Sequence, residues 1–252
     1  MEMPLISIII PVYNHADILV RSLKTLVAQT YRPLEVIIVD DGSVSPIAMY
    51  REDIFALGFC DRSDTPQTSG SIPILLLRQE NKGAPAARNL GTKHARGEYY
   101  LYWDADIFAT TEMITRLFAA LESTKTAAFA YGNLSIGAKK MPARAYDIAA
   151  LQKQNFIAIA ALIRRSAAVP FDETLTRFQD WDMWLTMAEQ GKTGVWVDKY
   201  LYRVETRGST MSAWLPSFAY RVPWKYCPWW YHTVRRYEKA KKIVEKKHHK
   251  CI

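Results

Sequence analysis

Residues 5–12, LISIIIPV, show no alternation of apolar and polar side chains: isoleucine or valine stands at 6, 8, 9, 10 and 12. A strand of that kind has no face to give to water and belongs in a sheet covered on both sides. LEVIIVDDGS at 34–43, IPILLLRQ at 72–79, EYYLYWDAD at 98–106 and TAAFAYGNL at 126–134 read as further strands. Helical patterns fall between them. Leu19, Leu23 and Leu26 share one face of a helix expected from His15 to Gln29, and APAARNLGTKHARG reads as a helix that Gly97 stops. Met113, Ile114, Leu117, Phe118 and Leu121 form one apolar stripe, with Thr110 or Thr111 as its cap. Strands alternating with helices predict an α/β fold with a mostly parallel, Rossmann-like central sheet. Residues 58–71 have turn composition and read as a surface loop, and 135–179 show no clear period. DWDMWLTMAEQG reads as a helix with Trp181, Trp184, Leu185 and Ala188 on one face, and TGVWVDKYLYRV returns to strand.

At 252 residues, 49% hydrophobic and 23% charged, the chain is long enough for one large domain with a full core. The first apolar run lacks the flanks of a signal peptide, and FIAIAALI at 156–163 is the nearest approach to a membrane span. The expected location is cytoplasmic. Cys60, Cys227 and Cys251 are too few and too scattered for a disulfide framework or a zinc site.

In an open α/β sheet the ligand site lies outside the carboxyl ends of the strands. The unusual polar residues gather at those ends: Pro11, Tyr13 and Asn14 after the first strand, Asp40 and Asp41 after the second, Asp104 and Asp106 after YYLYW. Carboxylates that close raise one another's pKa unless a positive charge or a set of donors offsets them. A nucleotide with its metal supplies both, and an all-oxygen set favours Mg²⁺ or Mn²⁺ over zinc or copper. Taken singly, DAD is also an ordinary solvated strand end and DDGS ordinary turn chemistry. No G-x-G-x-x-G follows the first strand and no P-loop is present, which argues against a dinucleotide oxidoreductase.

Three segments in order, SIIIPVYNHADILVRSLKTLVAQTYRPLEVIIVDDGS, RQENKGAPAARNLGTKHARGEYYLYWDAD and FDETLTRFQDWDMWLTMAEQG, resemble the family 2 glycosyltransferases, which have the GT-A fold. The resemblance implies a sugar transferred with inversion from a nucleotide-sugar donor, a UDP-sugar in first place, to a saccharide or lipid-linked saccharide during surface polysaccharide assembly. It places Pro11 and Tyr13 in the nucleotide pocket and one of Asp40 and Asp41 on the base, with Asp41 favoured. Asp104 falls by the ribose and metal, and Asp106 becomes the metal ligand. Arg88 would steady Asp40 or the donor phosphates, a surface arginine being the plain alternative. Where the family has a Glu-Asp pair, this chain reads Gln179-Asp180; Asp180 is the expected catalytic base, and Asp182 its competitor, with an ordinary role as a first-turn helix acid. Trp181 and Trp184 are either core or an acceptor surface. Arg207, in RVETRGSTMSAW, is expected to meet the diphosphate. A non-catalytic nucleotide-sugar-binding or membrane-docking module of the same fold is the alternative function.

The domain is expected to span 1–213, with a nucleotide-binding half over 1–134 and an acceptor-binding half over 135–213. An aromatic and basic extension follows at 214–252. Residues 235–252 hold eight Lys/Arg against two Glu, so +6 of the chain's net +8 lies there. Such an extension reads either as a peripheral contact with an anionic membrane or as a helix packed on the body with a solvated basic end. Nucleic-acid binding ranks below both, because no matching module is visible.

Overall fold

β1 (Ile6–Val12) and β2 (Leu34–Asp40) are buried along their whole length, as a run without a polar face requires. The computed structural model describes residues 3–63, 70–205 and 231–248. Its sheet is completed by β3 (Phe59–Asp61), β4 (Ile72–Arg78), β5 (Tyr99–Tyr102), β6 (Ile107–Ala109), β7 (Ala127–Ile136), β8 (Lys139–Met141), β9 (Leu162–Arg164) and β10 (Thr193–Val204). The helices are α1 (Ala16–Val27), α2 (Arg51–Ala56), α3 (Ala84–His94), α4 (Met113–Ser123), α5 (Ile148–Lys153), α6 (Gln179–Glu189) and α7 (Tyr231–His248).

The strand order is β3-β4-β2-β1-β5-β9-β7-β10-β6, with β8 paired to β7. The stretch β3-β4-β2-β1-β5 is parallel throughout, while β9, β8 and β6 run against their neighbours. The sheet continues through residues 134 and 135, which both lie in β7. Alternate side chains of β1 feed two cores. Ile6, Ile8 and Ile10 pack with Leu19, Leu23 and Leu26 of α1 and Leu117 and Leu121 of α4. Ile9 belongs to the other core, with Ala87 of α3, Trp181 and Trp184 of α6 and Val244 of α7.

Several local expectations are corrected. The stretch read as a surface loop contains β3, which extends the sheet by pairing with β4. The helix α4 begins at Met113 with Glu112 in the N-cap place, and no threonine side chain caps it. Gln29, at the end of α1, does that work, accepting from the Ile114 N–H at 3.1 Å and donating to the Thr110 carbonyl at 2.7 Å. The helix α3 ends at His94, three residues before the glycine expected to stop it. Gly97 is needed for close approach instead. A Cβ there would lie 2.7 Å from the Leu5 carbonyl and from the Ser7 amide and hydroxyl of the first strand. Backbone cannot yield that distance cheaply, so Gly97→Ala should destabilise the protein by about 1–3 kcal/mol, seen as a lowered midpoint in urea unfolding.

Candidate active site

β1 has β2 on one side and β5 on the other, so the chain reverses its direction of travel across the sheet at β1, where an open α/β sheet forms its ligand crevice. The register places Val12 opposite Asp40 and Ile9 opposite Tyr102. The acids after β2 and after β5 therefore flank the end of β1.

The β1 end is knitted to the β2 end. Asn14, in the left-handed region at φ 55°, donates its N–H to the Ser43 hydroxyl at 2.9 Å and accepts from the Val44 N–H at 2.8 Å. Pro11 is buried and Tyr13 is 45% exposed, leaving its ring open at the crevice. Asp40 accepts from the Ser43 and Ile47 amides and from Arg78 at 2.9 Å. Asp41 accepts from the Gln79 side chain and from the Lys82 and Gly83 amides, which hold the turn ahead of α3. Gly42 makes this possible: its φ is +80°, and a Cβ would meet the Asn81 amide at 2.8 Å. A carboxylate has about four acceptor sites, so with three donors each these acids keep about one site for a further donor.

On the other flank, Arg88 of α3 is buried and reaches two elements at once. It donates to Asp104 Oδ1 at 2.7 Å and to Gln179 Oε1 at 2.9 Å, and stacks over Phe171 at 5.3 Å. The expectation that it serves Asp40 is thus corrected, Arg78 holding that place, and so is the surface alternative. Gln179 also donates to the Leu175 carbonyl. The amide at 179 accepts from Arg88 without neutralising it, so the guanidinium charge is directed to Asp104.

Asp104 and Asp106 sit on a turn braced from behind. The Trp103 indole N–H donates to the Ser22 hydroxyl at 2.9 Å, and that hydroxyl donates to the Ile107 carbonyl at 2.5 Å. Burial and the neighbouring Asp104 push the Asp106 carboxyl up to about 7, and among the described residues no Lys or Arg pairs with it. Among the described residues no group of three or more His, Cys, Asp or Glu side chains gathers around one point. Two carboxylates on one turn nevertheless fit a hard cation whose other ligands are phosphate and water oxygens, with Asp106 the stronger candidate because Arg88 already occupies Asp104.

Asp180 opens α6. Its Oδ1 accepts from the Trp181 N–H at 2.8 Å and its Oδ2 from the Asn155 side chain at 2.9 Å. Burial pushes its carboxyl above the usual range and Asp104 adds to this, against the pull of the Trp181 amide, Arg88 and Asn155. Such tuning suits a general base. The residue before the pair, Phe178, takes the left-handed conformation at φ 59°, ψ 28°, which costs a bulky side chain roughly 1–2 kcal/mol. Burial pushes the Tyr202 phenol of β10 up, and the charges of Asp104, Asp180 and Asp106 add to this.

Tyr202, Asn155 and Arg78 are the site residues missed from sequence. Each stands in a strand or an irregular stretch where its type is unremarkable, and no spacing signals it. Trp181 and Trp184 are core rather than acceptor surface, fully buried with their indoles donating to the Leu151 and Ile157 carbonyls. Asp182 is no rival base; it is buried and accepts from Lys247 at 2.8 Å and His248 at 2.8 Å of α7. Arg207 lies outside the described residues, as does the extension from 214 to 230.

The expectation of a helix packed on the body holds for α7, which buries Val234 and Val244. Its outer side exposes His232, Arg235, Arg236, Lys239, Lys242 and Lys246 as one stripe. Among the described residues no helix is long and apolar enough to cross a membrane.

Comparison with known proteins bears on the family and the fold. Glycosyltransferase GlyG of Streptococcus pneumoniae is 33% identical over 130 residues, covering 51% of this chain and 38% of GlyG. Staphylococcus aureus TarS 1-349 in complex with UDP-GlcNAc superposes with a TM-score of 0.67 at 18% identity, over 84% of this chain and 61% of that one. The mannosyltransferase PcManGT of Pyrobaculum calidifontis, in complex with GDP-Man and Mn²⁺, gives 0.63 at 17% identity, over 85% of this chain and 60% of its own. The chain thus spans less than half of GlyG and about three fifths of those two structures. These likenesses establish the GT-A type of fold. The model of glycosyl transferase family 2 matches residues 7–171, and the chain belongs to that family.

Proposed function

We propose that this chain transfers a sugar, with inversion, from a nucleotide-sugar donor to a saccharide or lipid-linked saccharide acceptor. The observation that carries the reading is the Arg88 guanidinium, which bonds Asp104 at 2.7 Å and Gln179, the neighbour of Asp180, at 2.9 Å and so brings the two ends of the site together. Two acids suited to a cation and one suited to proton abstraction share a single crevice, although Asp180 is far from the others in the chain. The nucleotide lies over Pro11 and Tyr13, with its base toward Asp41, and Arg88 holds Asp104 in place. Asp106, with Asp104, would hold Mg²⁺ or Mn²⁺, which when bound stabilises negative charge on the departing diphosphate. Asp180, oriented by Asn155, takes the proton of the acceptor hydroxyl as that oxygen attacks the anomeric carbon from the side opposite the nucleotide. A UDP-sugar is the first choice of donor, and TarS and PcManGT, solved with UDP-GlcNAc and GDP-Man, make uridine and guanosine sugars the first panel to screen.

The test is that panel, read as thermal stabilisation and as nucleoside diphosphate release with Mn²⁺ or with a chelator. One donor should stabilise the protein and release diphosphate only with the metal; no response to any donor would count against the reading. A binding module that does not turn over is disfavoured by the retention of Asp180 in the crevice.

The outer stripe of α7 supports a peripheral contact with anionic lipid, each Lys or Arg near such a surface being worth about 1 kcal/mol. The chain should co-sediment with phosphatidylglycerol vesicles at low salt. Replacing Arg235, Arg236, Lys239 and Lys242 by Gln should abolish that without altering release of diphosphate.

A further inference from the structure

We infer that Tyr237, on the C-terminal helix, is a positioning residue for Asp180, acting through the strained turn at Phe178. The inference rests on the reading of Asp180 as the base. Phe178 immediately precedes Gln179 and Asp180, and its carbonyl accepts the Asp182 N–H at 2.9 Å, beginning α6. No side chain caps that helix start. A bulky residue keeps a left-handed backbone only where its surroundings over-determine it. Here the surroundings are two rings set edge to face: Tyr237 with its centroid 5.0 Å from that of Phe178, and Trp181 at 5.7 Å.

Trp181 belongs to the same helix, so it moves with the turn. Tyr237 belongs to α7, which is fixed to the body independently. Val234 and Val244 are buried, Lys247 bonds Asp172 at 2.7 Å and Asp182 at 3.0 Å, and His248 bonds Asp182 and Glu189. The helix α7 therefore holds α6 near both ends and presses an aromatic ring on the one residue whose backbone sets the aim of the base. Without that ring the turn can relax to a commoner conformation, and Asp180 swings with it, while Asp40, Asp41 and Asp106 stand on other elements and Asp104 keeps its own bond to Arg88.

The experiment uses the full chain and compares Tyr237→Ala, Tyr237→Phe, Phe178→Ala and the double alanine variant. Transfer is measured well below the unfolding midpoint, and bound nucleotide sugar per chain is titrated. Tyr237→Ala should lower kcat by about 10- to 100-fold, the size expected for a misplaced reacting group, with KM and stoichiometry for the donor unchanged. Tyr237→Phe, which keeps the ring, should restore wild-type kcat, and the double variant should be no slower than the slower single one. Wild-type kcat in Tyr237→Ala overturns the inference. So does a fall in kcat that merely follows a fall in donor stoichiometry, or additive effects of the two alanines. Asp180→Asn separates the two levels: if it still turns over at the wild-type rate, the base assignment itself fails, whereas an inactive Asp180→Asn beside a fully active Tyr237→Ala removes only the clamp.

Discussion

Asp180→Asn is expected to lower kcat for sugar transfer by about 10²–10⁴, the usual worth of a positioned general base, while nucleotide sugar still binds. Asparagine keeps the shape and one of the two accepted bonds, from Asn155 or from the Trp181 N–H, but has no oxygen able to take the proton. The pH profile gives a second reading. Only the ionised carboxylate works as a base, and burial and Asp104 raise its pKa in the folded protein. The rate should therefore fall with acid through an apparent pKa above the 3.8 of an ordinary aspartate. Full activity of Asp180→Asn, or an acid limb at the ordinary value, would remove Asp180 from the chemistry.

The second large effect is expected at Asp106. Asp106→Asn should lose the several kcal/mol that a cation contributes to stabilising the leaving diphosphate, and with it nearly all turnover. A measurement independent of activity follows from its raised pKa. In the folded, metal-free protein Asp106 stays protonated up to about 7, whereas in the unfolded chain it ionises near 3.8. Between those values the folded form binds more protons, so stability falls as pH rises. Above pH 7 both forms are ionised and the folded one bears the whole penalty. Each pKa unit is worth about 1.4 kcal/mol, so without metal Asp106→Asn should melt several degrees above the wild type at pH 8 and level with it at pH 3. Adding Mn²⁺ at pH 8 should raise the wild-type midpoint and leave the variant where it is. Equal melting of the two proteins at pH 8, with or without Mn²⁺, would falsify the metal assignment.

Much of the fold was legible because its strongest signals are local. β1 and β2 lack a polar face and so had to be central, and Leu19, Leu23 and Leu26 could mark only a buried helix face. What was lost depends on partners distant in the chain. Gln29 caps α4 from 85 residues away, and no rule of spacing connects them. Gly97 reads as a stop signal until β1 is seen lying against it. The site divides in the same way. Its acids stand at strand ends, where sheet topology makes them conspicuous. Arg88 was found, but its partner was not, since α3 packs on β1 and β2 and only the coordinates show Arg88 reaching across to Asp104 while Arg78 takes Asp40. Tyr202 and Asn155 gave no sign because a strand tyrosine and a loop asparagine are ordinary until the fold sets one within the field of the site's acids and bonds the other to Asp180.

The serine behind the Asp104–Asp106 turn has a wider consequence. Ser22 receives the Trp103 indole and holds the Ile107 carbonyl, so both flanks of the turn are moored to one side chain of α1. Two like charges that would drift apart in a loose loop are kept adjacent even when nothing lies between them. The turn is in that sense set in advance: the fold itself holds the two carboxylates side by side, against the repulsion that adds to burial in raising the Asp106 pKa.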